Sequence, residues 1–223
     1  MKKLWNNDGE LFRLARRELF SAVVGDVMDK LNLRRQFLPP QIQPLDRAMV
    51  VIGRAMPVLE ADVFEEGQDP FGLMFQALDN LKRNQVYVCT GASLRYALWG
   101  ELMSLRANLL GAAGAILDGY SRDTKGILDQ KFPCFSRGCY AQDQGPRGKV
   151  IDFDVAIEME GGVRIEPGDI LFGDLDGVCV IPREAEKEVF LQAVGKARGE
   201  MRVRKALEAG MSAREAFDKF GIL

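Results

Sequence analysis

The spacing of hydrophobic residues changes twice in the first third of the chain. Over residues 9–31 the apolar positions recur at helical spacing, which predicts a helix in two pieces with Ser21 as the cap of the second. Residues 48–59 are β-rich but contain a glycine and a proline, which predicts a bent strand or one near a sheet edge. Residues 65–70 are polar and predict a loop, and residues 71–81 return to helical spacing. This third therefore predicts helices, then a strand and another helix.

The middle of the chain predicts a strand, a helix and a second strand. Residues 86–89 have the pattern of a short buried strand, and small residues over 113–118 suit a strand buried on both faces. Between them, periodicity predicts a helix from about Ser93 to Leu110 that ends at Gly111. This order is typical of a right-handed βαβ unit. Its helix carries an apolar stripe that we expect to face the core, made of Leu94, Ala97, Leu98, Leu102, Leu105 and Leu109.

The pattern after residue 126 is one of short strands separated by Gly, Pro and Asp turns. Closely spaced strands favour a β-rich half, either a barrel or a pair of sheets, laid against the βαβ layer. The chain then ends in a long helix over 183–208 and a short capped helix over 212–220. The predicted strands cover residues 133–138, 149–160, 162–165, 169–172 and 177–181.

Composition supports a globular protein with a sizeable core. Of 223 residues, 47% are hydrophobic and 28% are charged, and the net charge of −2 gives no field towards nucleic acid or membrane. The N-terminal lysines precede no apolar run, so we expect no signal peptide. No window approaches 18 uncharged apolar residues, so we expect no membrane span, and we expect a cytoplasmic location. The basic run that ends at Lys205 is expected to be a solvated helix face, which makes nucleic-acid binding an unfavoured prediction.

The absence of histidine limits the chemistry. Without it, no Ser-His-Asp or Cys-His site can form, and any metal site must use oxygen ligands, which favour hard cations such as Mg²⁺ or Mn²⁺. The cysteines lack the spacing of a zinc or disulfide motif, so we expect reduced, mostly buried thiols. They are Cys89, Cys134, Cys139 and Cys179.

The first candidate site is the segment Gly100-Glu101-Leu102-Met103. Free N–H groups near a helix start can bind a carboxylate, and a glycine lets a ligand approach the backbone closely. This interpretation needs the helix to begin or bend near Gly100. The alternative from periodicity is a glycine in the middle of a helix, packed against a neighbouring element.

A second candidate is Arg122-Asp123, which follows the small-residue strand and is separated from Glu101 by twenty residues. Ligands collect beyond the carboxyl ends of parallel strands, where this turn is predicted. Arginine offers a planar fork to a carboxylate or enolate, and aspartate offers oxygens to a divalent cation. The alternative is a loop with a surface ion pair.

Three aspartates near the end of the β-rich half raise the possibility of calcium. They are Asp169, Asp174 and Asp176. Their spacing does not fit a twelve-residue EF-hand loop, and Asp-Gly pairs are common hairpin residues, so we interpret them as turns.

Taken together, these motifs resemble the RraA-like family, which includes the 4-hydroxy-4-methyl-2-oxoglutarate and 4-carboxy-4-hydroxy-2-oxoadipate aldolases (class II pyruvate aldolases) and the RNase E activity regulator. The resemblance rests on GELM at 100–103 and DGYSRD at 118–123, and on VVIGRAMPV ahead of them. It continues through IEPGDILFGDLDGVCVIP and AGMSAREAF and covers roughly residues 15–220.

The resemblance implies an α/β fold, a layered α-β-β-α sandwich similar to the swivelling phosphohistidine-type domain. Residues 1–182 would form this domain with its N-terminal helices, and residues 183–223 a helical extension that packs on the body or on a neighbouring subunit. It also implies a homotrimer or homohexamer with sites between subunits, and a helix interrupted near Gly100.

The resemblance also implies a role for each candidate residue. The backbone of Gly100, Glu101, Leu102 and Met103 would hold the substrate carboxylate, and Arg122 would contact the keto or enolate oxygen. Asp123 would be the direct ligand of Mg²⁺ or Mn²⁺. Glu101 takes a position that is aspartate in many of the aldolases and would hold metal-bound water, together with Glu200 from the next subunit.

The function implied is metal-dependent retro-aldol cleavage of a 4-hydroxy-2-keto acid to pyruvate and a keto product, with oxaloacetate decarboxylation as a side activity. The alternative is a non-catalytic regulator that binds an RNA-processing enzyme, which would not need the metal-binding Asp123. A methyltransferase is disfavoured, because no glycine-rich methyl-donor loop followed by an acidic strand end is visible.

Overall fold

The computed structural model describes residues 4–65 and 70–221, so residues 66–69 of the predicted loop lie outside it. Seven helices and twelve strands make up the described part. The helices are α1 (Asp8–Glu18), α2 (Ser21–Lys30), α3 (Met74–Asp79), α4 (Glu101–Leu109), α5 (Thr124–Asp129), α6 (Glu186–Glu208) and α7 (Ala213–Phe220). The strands are β1 (Gln43–Pro44), β2 (Val51–Asp62), β3 (Gln85–Thr90), β4 (Ala97–Trp99), β5 (Gly114–Leu117), β6 (Tyr120–Ser121), β7 (Cys134–Ser136), β8 (Gly148–Phe153), β9 (Ile157–Met159), β10 (Val163–Ile165), β11 (Ile170–Asp174) and β12 (Gly177–Ile181).

Eight strands form one curved sheet in the order β1-β7-β5-β3-β2-β11-β12, with β8 also paired to β2. The two ends of this order, β1 and β12, contact each other, so the sheet is nearly closed into a barrel. The predicted mixed α/β class is confirmed. Of the two arrangements that the strand spacing left open, the pairing gives the barrel-like one, and the layered sandwich description does not follow from it.

The long strand β2 lies at the centre of the sheet, so the prediction of a strand near an edge was wrong. It pairs with β3 on one side, and with β11 and then β8 on the other. Pro57 is tolerated here because pairing with β11 ends at Arg54 and pairing with β8 begins at Val58. The missing N–H of the proline therefore falls where the partner strand changes.

The predicted βαβ unit is present, but its helix starts later than periodicity indicates. Strands β3 and β5 pair in parallel, and α4 lies between them in the chain. Residues 97–99 are strand β4 rather than helix, and α4 begins at Glu101. The break near Gly100, which the family resemblance implied, is therefore confirmed.

Part of the apolar stripe assigned to this helix does not face the core: Ala97 and Leu98 are buried, but on strand β4, whereas the leucines of α4 are exposed. Leu102 is 77% exposed and Leu109 is 74% exposed, and Leu105 is exposed as well. The buried positions of α4 are instead the small residues Ser104 and Ala107. The leucines form an apolar face that the single chain leaves uncovered.

Two further predictions need correction, and two are confirmed. Residues 149–160 form two strands, β8 and β9, rather than one. Ser21 is the first residue of α2 rather than its cap, which is Phe20. The N–H and the hydroxyl of Ser21 both donate to the Asp174 carboxylate at 2.7 Å. The turn interpretation of residues 173–177 is confirmed, since β11 and β12 form an antiparallel hairpin there. The predicted cap of the last helix is also confirmed, because Ser212 and Glu215 form a capping box.

The core lies on both faces of the curved sheet, because alternate side chains of each strand point to opposite sides. On β3, Tyr87 and Cys89 pack outwards beneath α3, α4 and α5, whereas Val86 and Val88 point into the barrel. The β9–β10 hairpin covers the barrel interior, and α1, α2 and α6 pack on a third part of the core. Cys89, Cys134 and Cys179 are buried free thiols, as expected, and Cys139 is exposed.

No helix within the described ranges has the length and apolar character needed to cross a bilayer.

Candidate active site

A short parallel strand pair joins the two segments of the candidate site. Strand β4 pairs with β6, with Ala97 opposite Tyr120 and Trp99 opposite Ser121. The pairing continues one residue further, where the Arg122 N–H donates to the Trp99 carbonyl at 2.9 Å. Since both strands run in the same direction, the start of α4 and the start of α5 lie side by side.

Buried contacts fix the start of α4. The Trp99 side chain is buried against Tyr87 and Phe132, and its Nε1–H donates to Ser104 Oγ at 2.7 Å. The same hydroxyl lies 3.1 Å from the Gly100 carbonyl, to which it donates. These bonds hold Gly100 as an extended N-cap residue that has no side chain over the helix end.

The first N–H groups of α4 are free to bind an anion. The backbone bond from Ser104 N–H to the Gly100 carbonyl, at 3.1 Å, is the first of the helix. The N–H groups of residues 101–103 therefore precede the intrahelical ladder. They project out of the N-terminal end of α4, where the helix dipole also favours negative charge.

Asp123 lies against Gly100. A Cβ atom added to Gly100 would lie 2.7 Å from Asp123 Oδ2, so a larger residue here would require the Asp123 carboxylate to shift from its present position. Asp123 itself has a left-handed backbone, with φ of 54°, at the N-cap of α5. This conformation is uncommon for a residue other than glycine and recurs at functional sites.

Arg122 is half-buried between two carboxylates. Its Nε lies 3.7 Å from Asp123 Oδ2, and its Nη1 lies 3.2 Å from Asp143 Oδ1. The sequence analysis missed Asp143, which lies in the polar loop 141–147. Nothing in the spacing of that loop identifies a partner for Arg122, because the contact depends on how the loop packs against β6.

Glu101 occupies the first position of α4 and is exposed. Its side chain packs over Gly126 of α5, where a Cβ atom would lie 2.3 Å from the Glu101 carboxyl carbon. Its backbone carbonyl accepts a hydrogen bond from Gln130 Nε2 at 3.2 Å. Glu101 therefore lies where the start of α4 packs against α5.

Glu200 is not part of this constellation within one chain. It lies on α6, with its carboxylate 3.5 Å from Lys196 Nζ, and Lys196 also bonds Asp26 of α2. The basic run around it is partly paired too, since Arg198 bonds Glu18 at 2.8 Å. The structure thus brings together Gly100, Glu101, Leu102, Met103, Arg122 and Asp123, and leaves Glu200 in the helical layer.

The donor set suits a hydrated cation better than a protein-enclosed one. No group of three or more acidic or cysteine side chains with metal-binding geometry occurs among the described residues. The Asp123 carboxylate is exposed and makes no hydrogen bond within the described ranges, although its Oδ2 lies 3.7 Å from Arg122 Nε. Mg²⁺ keeps several waters and often takes only one or two carboxylates, so a single aspartate at this site fits such an ion.

The chain is similar in sequence and in structure to several known proteins. A protein of Halalkalibacterium halodurans, provisionally named 4-hydroxy-4-methyl-2-oxoglutarate aldolase, is 29% identical over 204 residues, covering 91% of this chain and 92% of that protein. RraAS2 of Streptomyces coelicolor, described as an unusual member of the RNase ES inhibitor RraA family, superposes with a TM-score of 0.77 at 25% identity, over 90% of this chain and 98% of its own.

A further solved structure, described as one of novel cellulases from microbes of the gut ecosystem, has a TM-score of 0.81 at 32% identity and covers 90% of each chain. The family model RraA-like, described as Aldolase/RraA, matches residues 21–180. That match spans both candidate segments and most of the curved sheet. The chain belongs to the RraA-like family.

Proposed function

We propose that this protein is an aldolase that cleaves a 4-hydroxy-2-keto acid, similar to 4-hydroxy-4-methyl-2-oxoglutarate, into pyruvate and a keto product. The observation that carries the proposal is the β4–β6 pairing, which sets the free N–H groups of α4 beside Arg122 and Asp123. Anion-binding amides, a guanidinium and an unbonded carboxylate then share one cleft.

The keto-acid end of the substrate suits this cleft. Its carboxylate would accept hydrogen bonds from the N–H groups of residues 101–103, where the helix dipole adds to the attraction. Its 2-keto oxygen would face Arg122, whose side chain is 38% exposed and therefore accessible to a ligand. This hydrogen bond strengthens as negative charge develops on the oxygen, so it stabilises the transition state more than the substrate.

Cleavage takes one proton from the C4 hydroxyl and later returns one proton to C3, with the bonding pairs moving towards the 2-keto oxygen. The C4 hydroxyl loses its proton to a water molecule oriented by Glu101, and the C4 oxygen forms a carbonyl as the C3–C4 bond breaks. The electron pair of that bond passes into the enolate of pyruvate, whose oxygen faces Arg122. Protonation of C3 by water then gives pyruvate. Loss of CO₂ from oxaloacetate leaves the same enolate, so the same groups would support that side activity.

Asp123 would hold a Mg²⁺ or Mn²⁺ ion. When bound, such an ion supplies Lewis-acid stabilisation of the keto acid and of the developing enolate. The contribution of the chain is the placement of Asp123 by its left-handed backbone and by the space that Gly100 leaves.

A second copy of the chain would complete the site. The cleft is exposed at Glu101, and the leucine face of α4 next to it is uncovered in the single chain. A neighbour packed there, in a homotrimer or homohexamer, would bury this face. It would also allow Glu200 from its own α6 to reach the cleft. We place this assembly in the cytoplasm.

The names of the relatives support the proposal to different degrees. The provisional aldolase name of the Halalkalibacterium protein favours lyase chemistry, whereas the description of RraAS2 refers to inhibition of an RNase. The second candidate function is therefore a regulator that binds an RNA-processing enzyme. A second structure of this type, the RNA-processing inhibitor RraA of a Thermus species, has a TM-score of 0.55 and 26% identity.

Pyruvate release distinguishes the two functions. The purified chain is incubated with 4-hydroxy-4-methyl-2-oxoglutarate or oxaloacetate and Mg²⁺ or Mn²⁺, and pyruvate is measured with lactate dehydrogenase. We expect turnover that chelator abolishes and added metal restores. Lack of metal-dependent turnover of both substrates, together with binding to the catalytic region of an RNase E-type enzyme, would favour the regulator instead.

A further inference from the structure

Of the two carboxylates beside Arg122, Asp143 makes the closer contact with its guanidinium. Its Nη1 lies 3.2 Å from Asp143 Oδ1, whereas its nearest approach to Asp123 is 3.7 Å. The orientation of the guanidinium plane therefore depends more on Asp143 than on Asp123. If Asp143 moved, Arg122 would have no other close carboxylate among the described residues to fix its outer edge.

The same oxygen of Asp143 is itself fixed by the next residue. Asp143 Oδ1 accepts a hydrogen bond from the Gln144 N–H at 2.9 Å. One carboxylate oxygen thus bridges the Gln144 backbone and the Arg122 guanidinium. Among the described residues, the Gln144 N–H is the one hydrogen-bond donor to the Asp143 carboxylate.

Gln144 is anchored in the core rather than at the surface. Its side chain is buried, and its Nε2 donates to Glu60 Oε2 at 2.7 Å. Its carbonyl accepts from the N–H groups of Arg147 and Gly148. The loop that carries Asp143 is therefore tied down at Gln144 by both its side chain and its backbone.

Glu60 is an unusual residue for its position. It lies on the central strand β2 and is 2% exposed, and its second oxygen, Oε1, has no partner among the described residues. Burying a carboxyl group costs free energy that an apolar side chain would not. A bulge in the β2–β8 pairing between Leu59 and Glu60 marks the place, and bulges of this kind redirect side chains near active sites. Within residues 4–65 and 70–221, the bond from Gln144 is the one hydrogen bond that the Glu60 carboxyl group makes.

We propose that Glu60 and Gln144 are positioning residues for Arg122, acting through Asp143. This inference rests on the proposed function, in which Arg122 contacts the substrate oxygen. The buried carboxyl group holds the Gln144 side chain, the Gln144 backbone holds the Asp143 carboxylate, and that carboxylate orients the guanidinium. Since the bond from Arg122 matters most in the transition state, loss of the anchor lowers kcat more than it raises KM.

Four variants test the connection. Gln144→Met keeps the volume of the side chain but removes the donor, and we expect kcat to fall about tenfold with KM within about twofold. Glu60→Leu should behave in the same way, whereas Glu60→Gln keeps an acceptor oxygen and should restore kcat to near the wild-type value. Asp143→Ala removes the final link at a partly exposed position, so it tests the proposal even if a core variant fails to fold. We expect it to match Gln144→Met.

A double-mutant cycle separates positioning from general stability. In the Asp143→Ala background, Gln144→Met should cause no further loss of kcat, because the route to Arg122 is already broken. A purely structural role predicts the same loss in both backgrounds and would overturn the proposal, as would an unchanged kcat in Asp143→Ala. Gln192→Ala removes a surface glutamine bond to Glu188 on α6 and serves as the matched control, with kcat unchanged.

A crystal structure of Gln144→Met gives a result that does not depend on turnover. We expect Asp143 to leave Arg122 and the guanidinium to shift, and an unchanged 3.2 Å contact would overturn the positioning role. If the wild-type chain turns over neither keto acid, the proposed function fails, and this structural result alone decides whether the anchor positions Arg122.

Discussion

Gly100 and Asp123 approach so closely that a single added carbon would collide with the carboxylate. The ideal Cβ of Gly100 lies 2.7 Å from Asp123 Oδ2, although the backbone of Gly100 is extended and would accept any residue. The requirement for glycine is therefore one of space and not of backbone conformation. The close approach joins the two candidate segments, in which twenty residues separate Glu101 from Arg122.

Gly100→Ala should lower turnover strongly while lowering the stability of the fold only slightly. The new methyl group would push the Asp123 carboxylate aside, so we expect turnover to fall at least about tenfold. Alanine is also a poor N-cap residue, and the free energy of unfolding should fall by about 1 kcal/mol. Steady-state kinetics and denaturant unfolding measure the two effects.

The matched control for this variant is Gly195→Ala. An added Cβ at Gly195, in the middle of α6, meets no atom within 4 Å. Turnover should therefore be unchanged, and stability should rise by roughly 0.5–1 kcal/mol because alanine is the better helix former. Equal turnover of Gly100→Ala and the wild type would contradict the placement of Asp123 in the site.

Asp123→Asn should remove metal dependence without unfolding the chain. Asparagine tolerates the left-handed backbone that Asp123 adopts, so the free energy of unfolding should change by less than about 0.5 kcal/mol. The amide is a weaker ligand for a hard cation, and we expect the metal-stimulated rate to drop to the level seen with chelator.

Asp129→Asn is the control for this substitution. Asp129 lies on the same helix, α5, and pairs with exposed Lys125 rather than with any site residue. It should keep full metal-dependent turnover. A metal-stimulated rate in Asp123→Asn equal to that of the control would remove Asp123 from the site.

Glu60 should make stability depend on pH. Burial raises the pKa of Glu60 from its ordinary value of 4.5 to about 8, because the charged form is poorly solvated in the core. A group with a raised folded-state pKa stabilises fully below its unfolded pKa and loses that contribution as pH rises through the folded value. The free energy of unfolding should therefore fall between about pH 4.5 and pH 8, by about 1.4 kcal/mol for each unit of the shift.

Glu60→Gln isolates this contribution. The variant cannot ionise, so its unfolding curve should lack the decline that Glu60 causes and should lie above that of the wild type at pH 8. Burial raises the pKa values of nearby Tyr87 and Cys89 well above their ordinary values, so both stay neutral through this range. Urea unfolding at half-unit pH steps measures the difference, and parallel curves for the two proteins would contradict it.

Leu109→Asp should disrupt the proposed assembly. Leu109 lies at the far end of α4 from the proposed site and is 74% exposed in the single chain. A charge placed in a leucine interface would remain unpaired, so we expect light scattering to give a smaller particle than the wild type. Leu175→Asp, at the exposed turn between β11 and β12, is the control and should leave the mass unchanged. Identical masses for all three proteins would exclude the α4 face as an interface.

Local patterns were sufficient for most of the elements. The βαβ order, the hairpin at residues 173–177 and the capped last helix follow from periodicity and turn residues, which act over a few positions. The helix at residues 93–110 was the main failure. Its leucines have helical spacing as far back as Leu94, but the chain before Gly100 pairs with β6, and that pairing outweighs local helix preference.

The sequence by itself determined the chemistry that is open to this protein. It has no histidine, so any metal must be held by oxygen, and the GELM and DGYSRD segments supply an anion-binding helix start, an arginine and an aspartate. Only the tertiary structure decided how these meet. The β4–β6 pairing sets Gly100 against Asp123, and the packing of a distant loop brings Asp143 to Arg122. Such contacts depend on how strands and loops pack across the fold, which no spacing along the chain records.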